Sequence, residues 1–279
     1  MFSVRREILT DFWPQLIIAR PLAYIMNTKE YLSRIKFFGK TKADLNTLNQ
    51  LHQNHVFHIP FENLDIQSGQ KIHLEKQKLF NKIIKAKRGG FCYELNYLFL
   101  SLLTNLGFDA KMISARIYDN DNLGPEFDHM AIIVSLENEE LLADVGFGDL
   151  FIKPLKIKQE IEQIDGGNIF KFSRFNEQSY LLSKSVNGLE FEKKYVLETN
   201  EKRLEQFLPQ CELKQQSPDS YFVQNKVCTI AEKNGRKTIF NSKYIEKQHG
   251  NKTELIIENK EQEKNILEKE FGIAENNVC

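Results

Sequence analysis

The chain has 279 residues, 41% of them hydrophobic, and thirty-eight Lys plus Arg offset thirty-eight Asp plus Glu. That length and apolar fraction suit one large or two to three small packed cores. A balanced charge supplies no summed field to draw a nucleic-acid backbone or an anionic membrane to the surface, so neither is expected as a partner.

At the N-terminus Arg5 and Arg6 precede an apolar run at residues 12–26, but Pro14, Arg20 and Pro21 break it. No clean small-residue cleavage site follows, so a signal peptide is not expected, and no other run approaches the roughly twenty apolar residues of a membrane span. The four cysteines, Cys92, Cys211, Cys228 and Cys279, make no CxxC and no metal-like cluster, which points to a reducing compartment and a cytoplasmic protein.

From residue 29 to about 87 the pattern is helical, with apolar residues three and four apart, interrupted at Pro60 and at Gln67-Ser68-Gly69-Gln70. His52, His55 and His58 fall three apart, yet His58 runs straight into Ile59-Pro60 and no second ligand cluster accompanies them, so no metal is expected. Lys82, Lys85, Lys87 and Arg88 read as a solvated basic face, their alternative use being contact with one phosphorylated small molecule. Glu62 reads as a structural carboxylate with Arg88 as its partner, bracing the loop before Cys92. After Arg88-Gly89-Gly90, Leu95, Leu98, Phe99, Leu102, Leu103 and Leu106 recur at the helical period, and Gly107 stands at the C-terminal cap.

Beyond Gly107 short runs at 111–118, 130–136, 140–145, 179–185 and 191–198 are rich in aliphatic, β-branched or aromatic residues, and polar turns separate them. This section reads as antiparallel sheet in the manner of a barrel. A third section begins near Glu201 with a short helix, crosses Ser217-Pro218-Asp219-Ser220, and carries strand-like runs around Thr238-Ile239-Phe240 and 253–257 before a helical tail at 261–270.

Cys92 falls in the first turn of its helix, behind two glycines that let the chain turn sharply and keep bulk away from the sulfur. Partial positive charge at a helix N-terminus favours thiolate, the form that attacks thioesters. His129 opens a strand-like run, and fifteen residues on Asp144 lies among Leu141, Leu142, Ala143 and Val145, where a carboxylate needs a partner. A hairpin turning through 135–138 sets His129 and Asp144 directly opposite; a tighter turn at Glu137-Asn138 offsets them by two residues. Asp144 could instead cap Gly146 or Gly148. Neither GxGxxG nor GxxxxGK[ST] occurs.

Arg88-Gly89-Gly90-Phe91-Cys92-Tyr93-Glu94-Leu95-Asn96, then Asp128-His129-Met130, then Asp144-Val145-Gly146-Phe147-Gly148 closely resembles the arylamine N-acetyltransferase family. Tyr31-Leu32-Ser33-Arg34-Ile35, His58-Ile59-Pro60-Phe61-Glu62-Asn63-Leu64, Ser217-Pro218-Asp219-Ser220-Tyr221-Phe222-Val223-Gln224 and Phe271-Gly272-Ile273 extend the likeness in the family's order. The resemblance implies an α+β multidomain fold: residues 1–106 as an extension (1–25) and a helical bundle carrying the nucleophile, 107–205 as an antiparallel β-barrel carrying His129 and Asp144, and 206–279 as an α/β lid, around a papain-like Cys-His-Asp core. It implies Cys92, His129 and Asp144 as the catalytic triad, acetyl-CoA as co-substrate with no bound cofactor, and ping-pong transfer to an arylamine, hydrazine or N-hydroxyarylamine. Backbone N–H groups near Cys92 are expected to stabilise the oxyanion. Gly146, Phe147 and Gly148 are expected at CoA, and Phe127 with Phe37 or Phe38 on the flat acceptor. Leu213 departs from members with a nearby aromatic that packs on CoA. An acyltransferase, amide synthase or hydrolase using the same triad on another acyl group is the alternative reading. A non-catalytic small-molecule binding protein is a more distant one, and the sequence sets no oligomeric state.

Overall fold

Residues 26–274 are described by a computed structural model, so the extension read at 1–25 and Cys279 lie outside the described residues. Helices α1 (Thr28–Arg34), α2 (Leu45–His58), α3 (Leu64–Gln67), α4 (Lys76–Leu79) and α5 (Cys92–Asn105) come first, α4 running on as a π-helical stretch, Phe80–Lys85. The two-residue strand β1 (Phe61–Glu62) separates α2 from α3. The helical pattern read from 29 to 87 is thus a series of short pieces, because Pro60 cannot continue α2 and Gly69, at φ +74°, turns the chain after α3. Asp44 caps α2 by accepting the Thr47 N–H at 2.9 Å. Leu95, Leu98, Phe99, Leu102 and Leu103 of α5 are fully buried and share a core with Leu48, Leu51, Phe80 and Phe91. No helix among the described residues is long and apolar enough to cross a membrane.

Strands β2 (Asp109–Asp119), β3 (Asn122–Leu123), β4 (His129–Leu136), β5 (Glu139–Ala143), β6 (Leu155–Lys156), β7 (Gln163–Asp165), β8 (Asn168–Asn176), β9 (Ser179–Ser185) and β10 (Glu192–Glu198) build one antiparallel sheet. Its order is β6-β5-β4-β2-β10-β9-β8-β7, with β3 paired to β2. The two ends approach each other: the Gln163 side chain on β7 accepts from the Lys156 N–H and donates to the Lys156 carbonyl on β6, both at 2.8 Å. The sheet is therefore a nearly closed barrel, as expected. Met130, Ile132 and Val134 of β4 face the α5 core while Ala131 and Ile133 face the barrel interior, so the strand is buried on both sides and its sequence is continuously apolar. Strands β7 and β8 were not among the expected runs, although Phe170 and Phe172 alternate with less buried neighbours after the Gly166-Gly167 turn.

The remaining elements are α6 (Leu204–Gln216), α7 (Tyr221–Gln224), β11 (Val227–Glu232), β12 (Gly235–Phe240), β13 (Lys243–Gln248), β14 (Asn251–Ile256) and α8 (Lys260–Phe271). They form a second sheet in the order β1-β11-β12-β13-β14, backed by Leu267 and Phe271 of α8. Strand β1 joins this sheet to the helices: Phe61 pairs with Thr229 and Glu62 with Cys228, while Phe61 is bridged on its other side to Gly90. The segment leading into Cys92 is thereby fixed to the sheet that follows α7.

Candidate active site

Cys92 is the first residue of α5, and Phe91 before it is extended. Neither Gly89 nor Gly90 has positive φ, so the glycines do not serve the sharp turn expected of them. They permit close approach instead: a Cβ on Gly89 would lie 2.0 Å from the Pro60 carbonyl oxygen, and one on Gly90 2.9 Å from a Glu94 carboxylate oxygen. Glu94 accepts the Phe91 N–H at 3.1 Å and so fixes the start of the helix. The basic run before it is no solvated patch at Lys82 and Arg88. Arg88 Nε donates to Glu62 at 2.9 Å, its Nη2 reaches Asp65 at 2.7 Å, and Lys82 lies 2.8 Å from both Asp65 and Glu94. The Glu62–Arg88 brace is present as expected.

The β4–β5 hairpin takes the tighter of the two turns. Glu137 and Asn138 both adopt left-handed conformations, and Leu136 pairs with Glu139, which leaves Asp144 two residues out of register with His129. Asp144 nevertheless reaches His129 because it lies just past the end of β5. His129 Nε2–H donates to Asp144 Oδ2 at 2.7 Å, which leaves Nδ1 for the Cys92 thiol, a hydrogen-bond partner of the ring. Tyr195 donates its hydroxyl to the same Asp144 oxygen at 3.1 Å. Asp144 Oδ1 accepts from Asn96 Nδ2 at 2.9 Å and from the Gly146 N–H at 3.0 Å. The carboxylate thus pairs with the histidine and caps the glycine turn at once.

Sequence reasoning assigned no role to Asn96, His52, Tyr93 or Tyr195. Asn96 stands one helical turn after Cys92; it also donates to the Met130 carbonyl at 2.5 Å and accepts the Val145 N–H at 3.0 Å, tying α5, β4 and the Asp144 segment together. His52 donates from Nδ1 to the Ile152 carbonyl at 2.8 Å and accepts the Asp144 N–H on Nε2 at 3.1 Å. The histidine triplet of α2 is therefore scaffold, with His55 on the Tyr31 hydroxyl and His58 on the Asn54 carbonyl. Tyr93 donates to the Phe127 and Asp128 carbonyls at 2.8 and 3.1 Å, locking the residues that precede His129. A polar residue on the apolar face of α5, as at Asn96, was the legible signal; Tyr195 left none, since its partner is 51 residues away.

Burial by itself would push His129 down and Asp144 up. Their mutual attraction and the surrounding hydrogen bonds prevail, with Cys92 adding to the effect on His129: His129 is raised to about 10 and Asp144 is held below the ordinary carboxylate range. We expect imidazole nitrogen NMR to show the His129 ring doubly protonated through neutral pH and titrating near 10. In Asp144→Asn, where burial is less opposed, the titration should fall by several units. An unchanged titration would show that Asp144 does not set the charge of the ring.

Cys92, His129 and Asp144 are 3%, 1% and 3% exposed. Beside them opens a cavity of about 1060 Å³, walled by Asp128, Phe147 and Gly148 from the barrel, by Lys214 and Phe222 from α6 and α7, and by Phe61. Phe147 packs edge-on to the His129 ring at 5.5 Å, and Phe222 contacts both Phe61 and Phe91. Of the residues expected at the donor, Phe147 and Gly148 line this cavity, whereas Gly146 lies against Cys92: a Cβ there would stand 2.9 Å from Cys92 Cα. Leu213 is also on the wall.

Phe37, Phe38 and Phe127, expected to stack on the acceptor, are not among the residues that wall this cavity. Lys36 is left-handed and the Phe37 N–H bonds the Leu32 carbonyl at 2.9 Å, so Phe37 closes the end of α1 as a Schellman anchor buried in the helical core. Phe38 then points outward, 83% exposed. Phe127 stacks edge-on to Phe207 at 5.2 Å. An aromatic on the wall that sequence reasoning passed over is Phe61, directly after Pro60.

Residues 44–277 match the family model described as N-acetyltransferase. The chain is 29% identical over 274 residues to the arylamine N-acetyltransferase pineal gland isozyme NAT-10 of Gallus gallus, covering 89% of this chain and 94% of that protein. The solved structure of a Mycobacterium smegmatis N-arylamine acetyltransferase matches with TM-score 0.84 at 25% identity, over 91% of this chain and 95% of that one. Mycobacterium marinum arylamine N-acetyltransferase in complex with CoA shares the fold, with TM-score 0.83 at 23% identity over 91% and 95% of the two chains.

Proposed function

We propose, for a chain that belongs to the arylamine N-acetyltransferase family, that acetyl passes from acetyl-CoA to an aromatic amine or hydrazine through a thioester on Cys92. The observation that carries this reading is the 2.7 Å bond from His129 to Asp144, with the thiol on the other side of the ring and a large cavity beside it.

The Cys92 thiolate attacks the acetyl carbonyl carbon, and the negative charge moves to oxygen beside the N-terminus of α5, where backbone N–H groups and the helix dipole favour an anion. The carbon–sulfur bond to CoA then breaks, and the departing sulfur takes the proton from His129 Nδ1. In the second half-reaction the amine nitrogen attacks the Cys92 thioester, neutral His129 accepts the amine proton, and the bond to Sγ breaks. The thiolate–imidazolium pair is thereby restored. Asp144 keeps Nε2 protonated throughout and so presents Nδ1 to the reacting atoms. Phe147, Phe61 and Phe222 offer flat faces on the cavity wall for an aromatic acceptor.

Intact-mass measurement after brief mixing with acetyl-CoA and no acceptor tests the route. Wild type should gain one acetyl group, about 42 Da, and lose it when an arylamine is added, while Cys92→Ala gains none. Acetylation that persists in Cys92→Ala, or none in wild type, would end the proposal.

A further inference from the structure

We infer that Arg236, Lys247 and Lys252, in line across three strands of the second sheet, form a phosphate-binding end of the donor site that selects a nucleotide-bearing acyl thioester over a phosphate-free one. This rests on the thioester route proposed above and concerns how the donor is recognised. Arg236 on β12 pairs directly with Lys247 on β13, and Lys247 pairs directly with Lys252 on β14. Residues directly opposite in antiparallel strands point to the same face, and all three line the cavity. Like charges directly opposite one another destabilise a sheet. Three in succession form a row that an anion would stabilise.

The partners nearby leave the row undercompensated. Arg236 is 3.4 Å from Asp149, whose side chain is 64% exposed, and donates to the Thr229 hydroxyl at 3.1 Å. Lys252 is 2.5 Å from Glu254, and Lys247 has no ion-pair partner among the described residues. The opposite face of the same sheet is built differently: Lys237 there is paired with both Glu232 and Glu270, at 2.9 and 2.8 Å. On the cavity side, by contrast, Lys247 has no carboxylate of its own among the described residues, and the two that serve its neighbours are each shared with another lysine, Asp149 with Lys184 and Glu254 with Lys243.

Position agrees with this role. Gly90, two residues before the nucleophile, is bridged to β1, and strands lie about 4.8 Å apart. Arg236 is three strand spacings from Gly90, roughly 14 Å, and Lys252 five, roughly 24 Å. In CoA the pantetheine arm separates the thioester from the phosphates, so groups that bind the phosphates must stand well away from the sulfur they serve. Thr229, Thr238 and Ile245 lie along the cavity on the same sheet face, in a row that runs from Phe61 across β11, β12 and β13 beside the cations.

The test compares acetyl-CoA with acetylpantetheine, which has the same thioester and no phosphate, as acetyl donors to the full chain. In Lys247→Gln/Lys252→Gln the ratio of kcat/KM for acetyl-CoA over acetylpantetheine should fall about tenfold or more. The wild-type preference should weaken as salt is raised. Lys237→Gln, on the opposite face, should leave the ratio as in wild type. A ratio unchanged in the double variant overturns the phosphate assignment, while acetylation of Cys92 by acetylpantetheine in that same experiment keeps the thioester route standing. Failure of both donors to acetylate Cys92 overturns the route and the phosphate assignment together.

Discussion

Replacing Asp144 by asparagine should slow acetylation of Cys92 by about three to four orders of magnitude, the loss expected when the orienting carboxylate of such a triad becomes an amide. Asp144 accepts four hydrogen bonds, two on each oxygen: from His129 and Tyr195 on Oδ2, and from Asn96 and Gly146 on Oδ1. An amide has one accepting oxygen. If that oxygen faces Asn96 and Gly146, its NH2 meets His129 Nε2, which must then give up its proton and accept; the tautomer reverses and Nδ1 can no longer act as base toward the thiol. If the amide is flipped, the Asn96 and Gly146 donors are left facing an NH2 in a fully buried site, at a cost of about 1–3 kcal/mol for each lost acceptor. Tyr195→Phe removes only one of the four donors, so a loss of about 10- to 100-fold is expected from a hydrogen bond to a charged group. Single-turnover release of CoA measures both variants. A rate for Asp144→Asn within tenfold of wild type would remove Asp144 from the mechanism.

The second large effect falls on stability. Glu62, Arg88, Asp65, Lys82 and Glu94 make one chain of ion pairs beneath the segment that enters α5: three carboxylates against two cations. Arg88 is 4% exposed at its side chain and Glu62 not at all. Burial pushes Glu94 up to about 7 despite the opposing pull of Lys82, a sign that this environment has little capacity for further negative charge. Arg88→Gln removes one of the two cations and leaves Glu62 and Asp65 with reduced compensation. Breaking a buried pair in this way costs about 3–5 kcal/mol, a large share of the roughly 5–15 kcal/mol available to a folded protein. At about 2–4 °C per kcal/mol, Tm should fall by on the order of 10 °C. Lys71→Ala, which breaks the Lys71–Glu212 pair, 52% and 53% exposed, should change stability by no more than about 1 kcal/mol. Thermal unfolding of the two variants beside wild type distinguishes a structural ion chain from an incidental one; equal Tm shifts would sink that distinction.

Much of the fold and of the triad is legible in the amino-acid sequence. Apolar residues three and four apart mark α5, and β2, β4, β5, β9 and β10 show in runs of apolar and β-branched residues, because a helix or strand with a buried face must repeat its apolar side chains at its own period. The motif order points to the family, and with it to Cys92, His129 and Asp144 and to a helical part, a barrel and a further sheet. Other features depend on residues distant in the chain. The tighter β4–β5 turn is one of two registers the sequence allows, and it is decided by Glu137 and Asn138 adopting left-handed conformations. Which aromatics reach the cavity is another such feature, because sequence order gives no direction to a side chain: one left-handed residue, Lys36, turns Phe37 into the helical core, while pairing of β1 with β11 brings Phe61 to the cavity.

What the sequence alone determined, then, was the class of chemistry and the elements that carry it, since local periodicity, helix starts and short motifs are properties of neighbouring residues. Only the tertiary structure decided which groups hold His129 and Asp144 and what faces the cavity. His52, Asn96 and Tyr195 reach Asp144 from 92, 48 and 51 residues away, and the cation row of Arg236, Lys247 and Lys252 exists only in the register of three strands. Such contacts are set by how whole elements pack to bury their apolar faces, and no stretch of chain carries that information by itself.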